Sequence, residues 1–245
     1  APAARLLRGH LAPHAEAERL AAAWCGDEAA LLFPSGWQAN AALIGVLADR
    51  PDVVFSDRLN HASLIDALRG SRARRAVWRH ADLEDLERQL GCHPGARRRL
   101  IVCEHVYSMD GDRAPLDGIF ELAERHDAWV VLDEAHAAGL YPFARHPRLL
   151  ARMFTGGKAL GLCGGFVAGS RELVEALVNR GRSFVFTTAT PPATAAALAE
   201  AIRIARAEPE RAARAHAAAA RLRAARSAAG VDGPGESPVV PVLLG

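Results

Sequence analysis

Short apolar runs alternate with amphipathic helical stretches through most of the chain. Apolar residues recur at helical spacing over 13–24 and 37–48, and the stretches between later runs have the same character. The runs are rich in valine, isoleucine and leucine, and they cover residues 30–33, 52–56, 75–80, 99–104 and 128–134. Strands that alternate with helices form a mainly parallel sheet covered on both faces. The pattern therefore predicts a three-layer α/β/α domain.

The last third of the chain has a different composition. Residues 191–228 are rich in alanine with regularly placed arginines, which predicts one or two long helices broken near 208–209. GVDGPGESP at 230–238 has the glycine and proline content of a linker, and VVPVLLG after it has the pattern of a strand. We expect a large domain over 1–229 that includes an N-terminal helix. A linker and the first strand of a truncated second domain would occupy 230–245.

Composition narrows the classes of function. The chain has 245 residues, half of them apolar, which is enough to bury a substantial core. Its 30 basic and 28 acidic residues give a net charge of +2, so neither nucleic acid nor an anionic membrane is expected as a partner. No apolar run approaches the roughly 20 residues of a spanning helix, and the first residues lack a signal-peptide pattern. A cytoplasmic protein is therefore expected. The four cysteines form no C-x-x-C pair, so neither a disulfide framework nor a metal site is expected.

Lys158 is the single lysine among the 30 lysines and arginines of the chain. Arginine replaces lysine where only a positive charge is needed, but arginine stays protonated. A desolvated lysine can lose its proton and condense with an aldehyde to form an imine. Lys158 is therefore a candidate for binding an aldehyde cofactor, and an exposed lysine retained by chance is the alternative.

Pyridoxal phosphate is an aldehyde cofactor that needs a carboxylate at its ring nitrogen and a cradle for its phosphate. Asp133 ends the predicted strand VVLD, where parallel-sheet proteins place ligand contacts, although it could instead cap the next segment. Ser35, Gly36 and Trp37 lie between a predicted strand and a predicted helix. Free backbone N–H groups at such a turn can hold a phosphate. The sequence thus offers a candidate for each requirement.

Five motifs, in this order, resemble those of the α-oxoamine synthases: SDRLNHASLIDA (56–67), CEHVYSMDGDRAPL (103–116), LDEAHAAGL (132–140), TGGKALG (155–161) and FVFTTATPP (184–192). That family comprises fold-type-I pyridoxal-phosphate enzymes with an aspartate-aminotransferase-like large domain. They condense an amino acid with an acyl-CoA and release carbon dioxide. The resemblance implies those substrates, that cofactor, and a homodimer with its site at the interface. Members that act in biotin biosynthesis on L-alanine and pimeloyl-CoA are the most similar, and members that use glycine with succinyl-CoA or acetyl-CoA are the alternative.

The resemblance also implies a role for each matching residue. Lys158 would bind the cofactor and later remove the α-proton of the substrate, and Asp133 would pair with the ring nitrogen. His61 would stack on the ring, while Ser108 and His136 would lie near its phenolic oxygen. The remaining residues would all hold the phosphate: the turn at Ser35 with the backbone of Gly36 and Trp37, the side chain of Thr155, and Thr187 and Thr188 from the neighbouring subunit.

Each assignment has a structural alternative. The histidines could be ordinary hydrogen-bonded residues, and the hydroxyls of Thr155, Thr187 and Thr188 could satisfy only nearby backbone groups. LDEAH also resembles the magnesium-binding box of one class of helicases, but that function requires a G-x-x-x-x-G-K-[ST] loop upstream. The one Gly-Lys pair lies downstream of the box and is followed by Ala159.

A non-catalytic relative that keeps the fold stays open as a further alternative. The segment between His136 and Lys158 is shorter than in typical family members. The family also begins earlier and continues beyond a counterpart of Gly245, into a domain that supplies an arginine for the substrate carboxylate. We therefore expect either a piece of a longer protein or an incomplete substrate site.

Overall fold

The computed structural model describes residues 3–231 and 233–242, and a seven-stranded sheet forms its centre. The order of the strands is β1-β7-β6-β5-β4-β2-β3. Strand β7 pairs antiparallel with both of its neighbours, and the other pairs are parallel. The prediction of a mainly parallel sheet is confirmed, although two of the strands, β6 and β7, were not predicted. The strands are β1 (Ala29–Phe33), β2 (Val53–Asp57), β3 (Arg74–Trp78), β4 (Arg99–Glu104), β5 (Ala128–Asp133), β6 (Leu149–Thr155) and β7 (Gly165–Gly169).

The helices follow the predicted pattern, and a short π-helical turn, Arg5–Gly9, precedes them. The long helices of the alanine-rich region are separated at residues 208 and 209, as predicted, since a proline lacks the N–H that would continue the first helix. Within the described residues, no helix combines the length and apolar character required to span a bilayer. The helices are α1 (Ala12–Cys25), α2 (Gly36–Leu47), α3 (Ala62–Gly70), α4 (Leu83–Gly91), α5 (Leu116–Arg125), α6 (Arg171–Arg180), α7 (Arg182–Val185), α8 (Pro192–Ala207) and α9 (Glu210–Ala228).

Helices cover both faces of the sheet, which confirms the three-layer architecture. Helices α2, α3, α6 and α7 pack on one face. On the other face, α4 and α5 cover β2 to β5, and α1 and α8 cover β1, β6 and β7. Strand β5 shows the division, because Val131 points to the first face while Val130 and Leu132 point to the second. Burial on both sides explains why its sequence is a continuous apolar run.

The segment after α9 lies against the loop that follows β4. The backbone N–H of Ser237 donates to the carbonyl of Gly111 at 3.2 Å, and Arg223 donates to the carbonyl of Ser237 at 2.6 Å. Residues 233–242 contain no strand, and the end of the predicted strand lies outside the described residues. The proposed boundary after residue 229 stays a prediction.

The register of the central strands sets the position of the polar residues. Glu104 at the end of β4 is opposite Asp133 at the end of β5, and Asp133 is opposite Met153 of β6. Helix α2 begins directly after β1, and β7 comes close to its first turn: a Cβ on Gly165 would lie 2.7 Å from the nitrogen of Gly36. A glycine at 165 therefore allows the first turn of α2 to sit beside the carboxyl ends of these strands.

Candidate active site

A cavity of about 180 Å³ lies at the carboxyl ends of β4, β5 and β6. A larger cleft of about 490 Å³ lies near the amino ends of β2 and β3 and contains none of the predicted site residues. Ligands of parallel α/β proteins bind at the carboxyl ends of strands, so the smaller cavity is the candidate site. This cavity brings together most of the predicted residues. Its lining consists of Gly36, Trp37, His61, Ser63, Glu104, Asp133, Ala135, His136, Met153, Thr155 and Lys158.

Asp133 is buried at the inner end of this cavity, and only neutral groups donate to it. The Nδ2 of Asn40 donates to its Oδ2 at 2.9 Å, and the backbone N–H of Ala135 donates to its Oδ1 at 2.9 Å. Burial raises the pKa of Asp133, and these two hydrogen bonds oppose that rise. Since none of the salt bridges among the described residues includes Asp133, a cationic ligand group would stabilise its charge.

Glu104 places a second carboxyl group beside Asp133. It accepts the backbone N–H of His61, and the backbone N–H of Ser108 also donates to it. Burial, followed by the negative charge of Asp133, raises the pKa of Glu104 to about 8. At neutral pH this group is therefore mostly protonated. Ser108 itself does not line the cavity, so its predicted role at the phenolic oxygen stays a prediction.

The two predicted histidines stand on different elements. His61 caps α3, where its Nδ1 accepts the backbone N–H of Ser63 at 3.2 Å and lies 2.8 Å from the Oγ of Ser63. His136 follows β5 and is half-buried. Burial, with the neighbouring charge of Lys158, lowers the pKa of His136 to about 4. His136 is therefore neutral at physiological pH and can exchange hydrogen bonds with a ligand without adding charge.

Lys158 lies in the loop between β6 and β7 and lines the cavity from its outer side. The residue is exposed, whereas the sequence interpretation pictured a desolvated amine. Its neighbours Gly157 and Ala159 are exposed as well, so this part of the loop lies at the surface. Lys158 and Asp133 nevertheless line the same cavity, from its outer and inner ends.

The predicted phosphate residues surround the first turn of α2. Ser35 caps this helix by accepting the backbone N–H of Gln38 at 3.2 Å, and the amides of Gly36 and Trp37 begin it. The Oγ1 of Thr155 donates to the carbonyl of Gly164 at 2.8 Å, so its hydroxyl already has a backbone partner. Thr187 accepts from the side chain of Gln38 at 3.1 Å, and Thr188 is exposed; neither lines the cavity. The phosphate roles of these residues stay predictions.

The sequence interpretation missed several residues that line the cavity or contact its lining. Ser63 comes two positions after His61 inside a recognised motif, and Asn40 comes one helical turn after Gly36, so both positions carried a signal. Glu104 lies inside the recognised motif at 103–116, but no role in the cavity was assigned to it. Met153 carried no usable signal, because its orientation depends on β6, a strand that was not predicted.

The family described as aminotransferase class I and II matches residues 4–243. The chain belongs to this family. The match includes each motif that supports the cavity, from the first turn of α2 to Lys158.

Similar proteins agree with the predicted resemblance to the α-oxoamine synthases. The chain is 46% identical over 253 residues to 8-amino-7-oxononanoate synthase of Anaeromyxobacter sp. (strain K), covering 99% of this chain and 63% of that protein. It is 49% identical over 210 residues to the protein of the same name from Chromobacterium violaceum, covering 82% and 55%. The chain thus spans about 63% of the length of the first of these relatives.

Solved structures confirm the aspartate-aminotransferase-like fold. A serine palmitoyltransferase from S. paucimobilis, solved with bound PLP and myriocin, has a TM-score of 0.93 and 31% identity, and 99% of this chain and 66% of that chain are covered. An 8-amino-7-oxononanoate synthase from Francisella tularensis has a TM-score of 0.80. The two chains are 24% identical, and 94% of this chain and 69% of that chain are covered. At this level of identity the similarity supports the fold alone.

Proposed function

We propose that this chain is the cofactor-binding part of a pyridoxal-phosphate enzyme that condenses an amino acid with an acyl-CoA and releases carbon dioxide. The observation that carries the proposal is the single cavity lined by Lys158, the buried Asp133 and the first turn of α2. The names of the relatives favour L-alanine and pimeloyl-CoA as substrates, which form 8-amino-7-oxononanoate in biotin biosynthesis.

The residues present fit pyridoxal phosphate on chemical grounds. Asp133 is a buried carboxylate held by two neutral donors, and it would accept a hydrogen bond from the protonated ring nitrogen. The first turn of α2, with Gly36 at its start, offers backbone N–H groups for the phosphate. Lys158 supplies the primary amine that an aldehyde requires. When bound, the cofactor supplies an electron sink for the charge left on the α-carbon of the substrate.

The other residues of the cavity would control protons and orientation. The Nζ of Lys158 would first hold the cofactor aldehyde and, once displaced by the substrate amine, would accept the α-proton. His61 would lie against one face of the ring, because capping α3 fixes it at the cavity wall. His136 would exchange hydrogen bonds as a neutral imidazole. Glu104, mostly protonated, would keep a second negative charge away from Asp133.

Borohydride trapping tests the proposal directly. Because the chain has one lysine, only Lys158 and the N-terminal amine can be reductively labelled by pyridoxal phosphate. We expect a lysine-dependent absorbance band and a label on the peptide that contains Lys158. Lys158→Arg, which keeps the charge, should lose both. Asp133→Asn should weaken cofactor binding at least about tenfold through loss of a charge-assisted hydrogen bond, while Asp49→Asn on the surface should not. A label confined to the N-terminus would refute the assignment.

The response of the band to amino acids separates the members of the family. L-alanine should perturb the lysine-dependent band if the proposed substrate is right. Glycine or L-serine should perturb it instead if the chain belongs with the glycine-using members or with the serine palmitoyltransferases, which the structural similarity also supports. A band that depends on Lys158 but responds to no amino acid would favour a non-catalytic relative.

We propose further that two copies of the chain pair across the mouth of the cavity. Three exposed apolar side chains lie on neighbouring elements. Trp37 lines the cavity and is 54% exposed, Phe186 directly follows α7 and is 72% exposed, and Leu7, in the π-helical turn that contacts α7, is 82% exposed. Thr187 follows Phe186 directly and is tied to α2 through Gln38. A second copy that covers this apolar surface would also desolvate Lys158 and bring Thr187 and Thr188 towards the neighbouring site.

A further inference from the structure

Four polar side chains form a continuous hydrogen-bonded network, and three of them, His61, Ser63 and Asp133, line the cavity. The Nδ1 of His61 lies 2.8 Å from the Oγ of Ser63. The Nδ2 of Asn40 lies 2.9 Å from the same Oγ and 2.9 Å from the Oδ2 of Asp133. Ser63, Asn40 and Asp133 are all buried. These hydrogen bonds therefore join the cap of α3 to the end of β5 by way of α2.

The donors and acceptors of this network have one consistent assignment. The backbone N–H of Ser63 can only donate, and it lies 3.2 Å from the Nδ1 of His61, so this nitrogen is an acceptor. The Ser63 hydroxyl then donates to the same nitrogen and accepts from Asn40. The second Nδ2–H of Asn40 donates to the Oδ2 of Asp133, and the Oδ1 of Asp133 accepts from the backbone N–H of Ala135. In the neutral ring of His61 the proton is consequently on Nε2.

The orientation of the Asn40 amide supports this assignment. Its Oδ1 is buried and has no hydrogen-bond partner among the described residues. Leaving a buried carbonyl oxygen without a partner is costly. The two hydrogen bonds that Nδ2 donates, to Ser63 and Asp133, offset this cost and fix the orientation of the amide. Rotating the amide would place Oδ1 against the carboxylate of Asp133.

We propose that Asn40 and Ser63 are positioning residues that fix the neutral tautomer of His61 and hold Asp133 as an acceptor for a cationic N–H group of the ligand. The identity of that ligand rests on the proposed function, whereas the hydrogen-bonded network belongs to the ligand-free protein. Neither residue supplies a reacting atom. They act through the two side chains at the ends of the hydrogen-bonded network, His61 and Asp133.

Asp133 needs such donors because burial and the adjacent Glu134 oppose its charge. Burial raises the pKa of Asp133, and Glu134 raises it further, while the hydrogen bonds from Asn40 and Ala135 lower it. Lys158 lines the same cavity from its outer side. Without the Asn40 donor, a proton would compete with the cationic ligand group for the buried carboxylate.

Nuclear magnetic resonance of the ligand-free chain tests the inference without enzyme activity. The ring nitrogens of His61, identified by comparison with His61→Gln, should show the tautomer protonated on Nε2. Asn40→Leu should raise the carbon-detected titration midpoint of Asp133 by about one pH unit, since it removes a direct donor. Ser63→Ala, which leaves the direct contact in place, should raise the midpoint by about half a unit and make the other His61 tautomer detectable.

Ser56→Ala is the matched control. Ser56 is as buried as Ser63 and likewise accepts from an asparagine amide, that of Asn60 at 2.9 Å, but it contacts neither His61 nor Asp133. A response of Asp133 and His61 to Ser63→Ala that is absent in Ser56→Ala supports the inference, whether or not pyridoxal phosphate binds. Equal responses to the two serine substitutions overturn it, even if the cofactor binds as proposed. The mild Ser63 substitution keeps the test decisive should Asn40→Leu fail to fold.

Discussion

Arg152 shows at the scale of one residue how a charge is tolerated in the core. Its guanidinium lies 2.7 Å from Asp27 and 2.7 Å from Glu134, and it donates to the carbonyl of Ala144 at 2.8 Å. Arg152→Met would leave the buried Glu134 without its arginine partner, so we expect the free energy of unfolding to fall by about 3–5 kcal/mol. Urea denaturation measures this loss. Arg203→Met, which breaks only exposed pairs, should cost no more than about 1 kcal/mol, and equal losses would contradict the interpretation.

Glu104 makes stability depend on pH in a direction that can be tested. Because burial and the charge of Asp133 raise its pKa to about 8, the folded chain binds a proton at Glu104 that the unfolded chain releases near pH 4.5. Stability from this group is complete below pH 4.5 and is lost as the pH rises to about 8. Glu104→Gln cannot ionise, so between pH 4.5 and pH 9 it should gain about 4 kcal/mol relative to the unsubstituted chain. Unfolding curves at the two pH values test this, and a parallel pH dependence would count against it.

At the scale of elements, one histidine joins three segments at the carboxyl ends of the strands. The Nδ1 of His80, just after β3, lies 3.0 Å from Asp57 of β2, and its Nε2 lies 2.7 Å from Asp112 in the loop after β4. The ring of His80 also packs edge-on against Tyr107, with centroids 4.4 Å apart. Burial opposes the charge on His80, but the two carboxylates outweigh burial and raise its pKa. The bridge therefore fixes the loop that carries Ser108.

The bridge should weaken as the pH rises. Because the folded pKa of His80 is raised, its stabilising effect is complete below the ordinary value of about 6.5 and is lost as the pH passes through the raised value. His80→Gln should cost about 1 kcal/mol at pH 6 and less at pH 9, as measured by urea unfolding. In the background of Asp112→Asn, the cost should vary less with pH. A cost that is the same at both pH values would refute the bridge.

At the scale of the whole molecule, the exposed apolar side chains beside the cavity predict self-association. Phe186→Asp would place a charge in the proposed contact between two copies, and we expect it to convert a dimer into monomers, raising the dissociation constant by about a hundredfold or more. Sedimentation velocity measures this change. Leu222→Asp, an equally drastic change at an exposed position of α9, should leave the dimer intact. A monomeric unsubstituted chain, or equal dissociation of both variants, would rule out this surface as the interface.

Some strands could not be found from local pattern. The sequence of β6 contains Arg152 among apolar residues, which interrupts the pattern that identifies a buried strand. The charge is acceptable only because Asp27 and Glu134, which come from other segments, neutralise it. Strand β7 is short and begins and ends with glycine, so its sequence is typical of a turn.

The sequence by itself determined the layered architecture, the order of most elements, and the residues whose chemistry is unusual for this composition. Lys158 is recognisable because it is the single lysine, and Asp133 because it ends a doubly buried strand. Only the tertiary structure decided which side chains meet: Asn40 contacts Asp133 across 93 positions of the chain. The spacing of apolar residues within a segment indicates which of its faces are buried, because that spacing depends only on residues of the same segment. Pairing depends on how distant segments pack, and no local pattern records that.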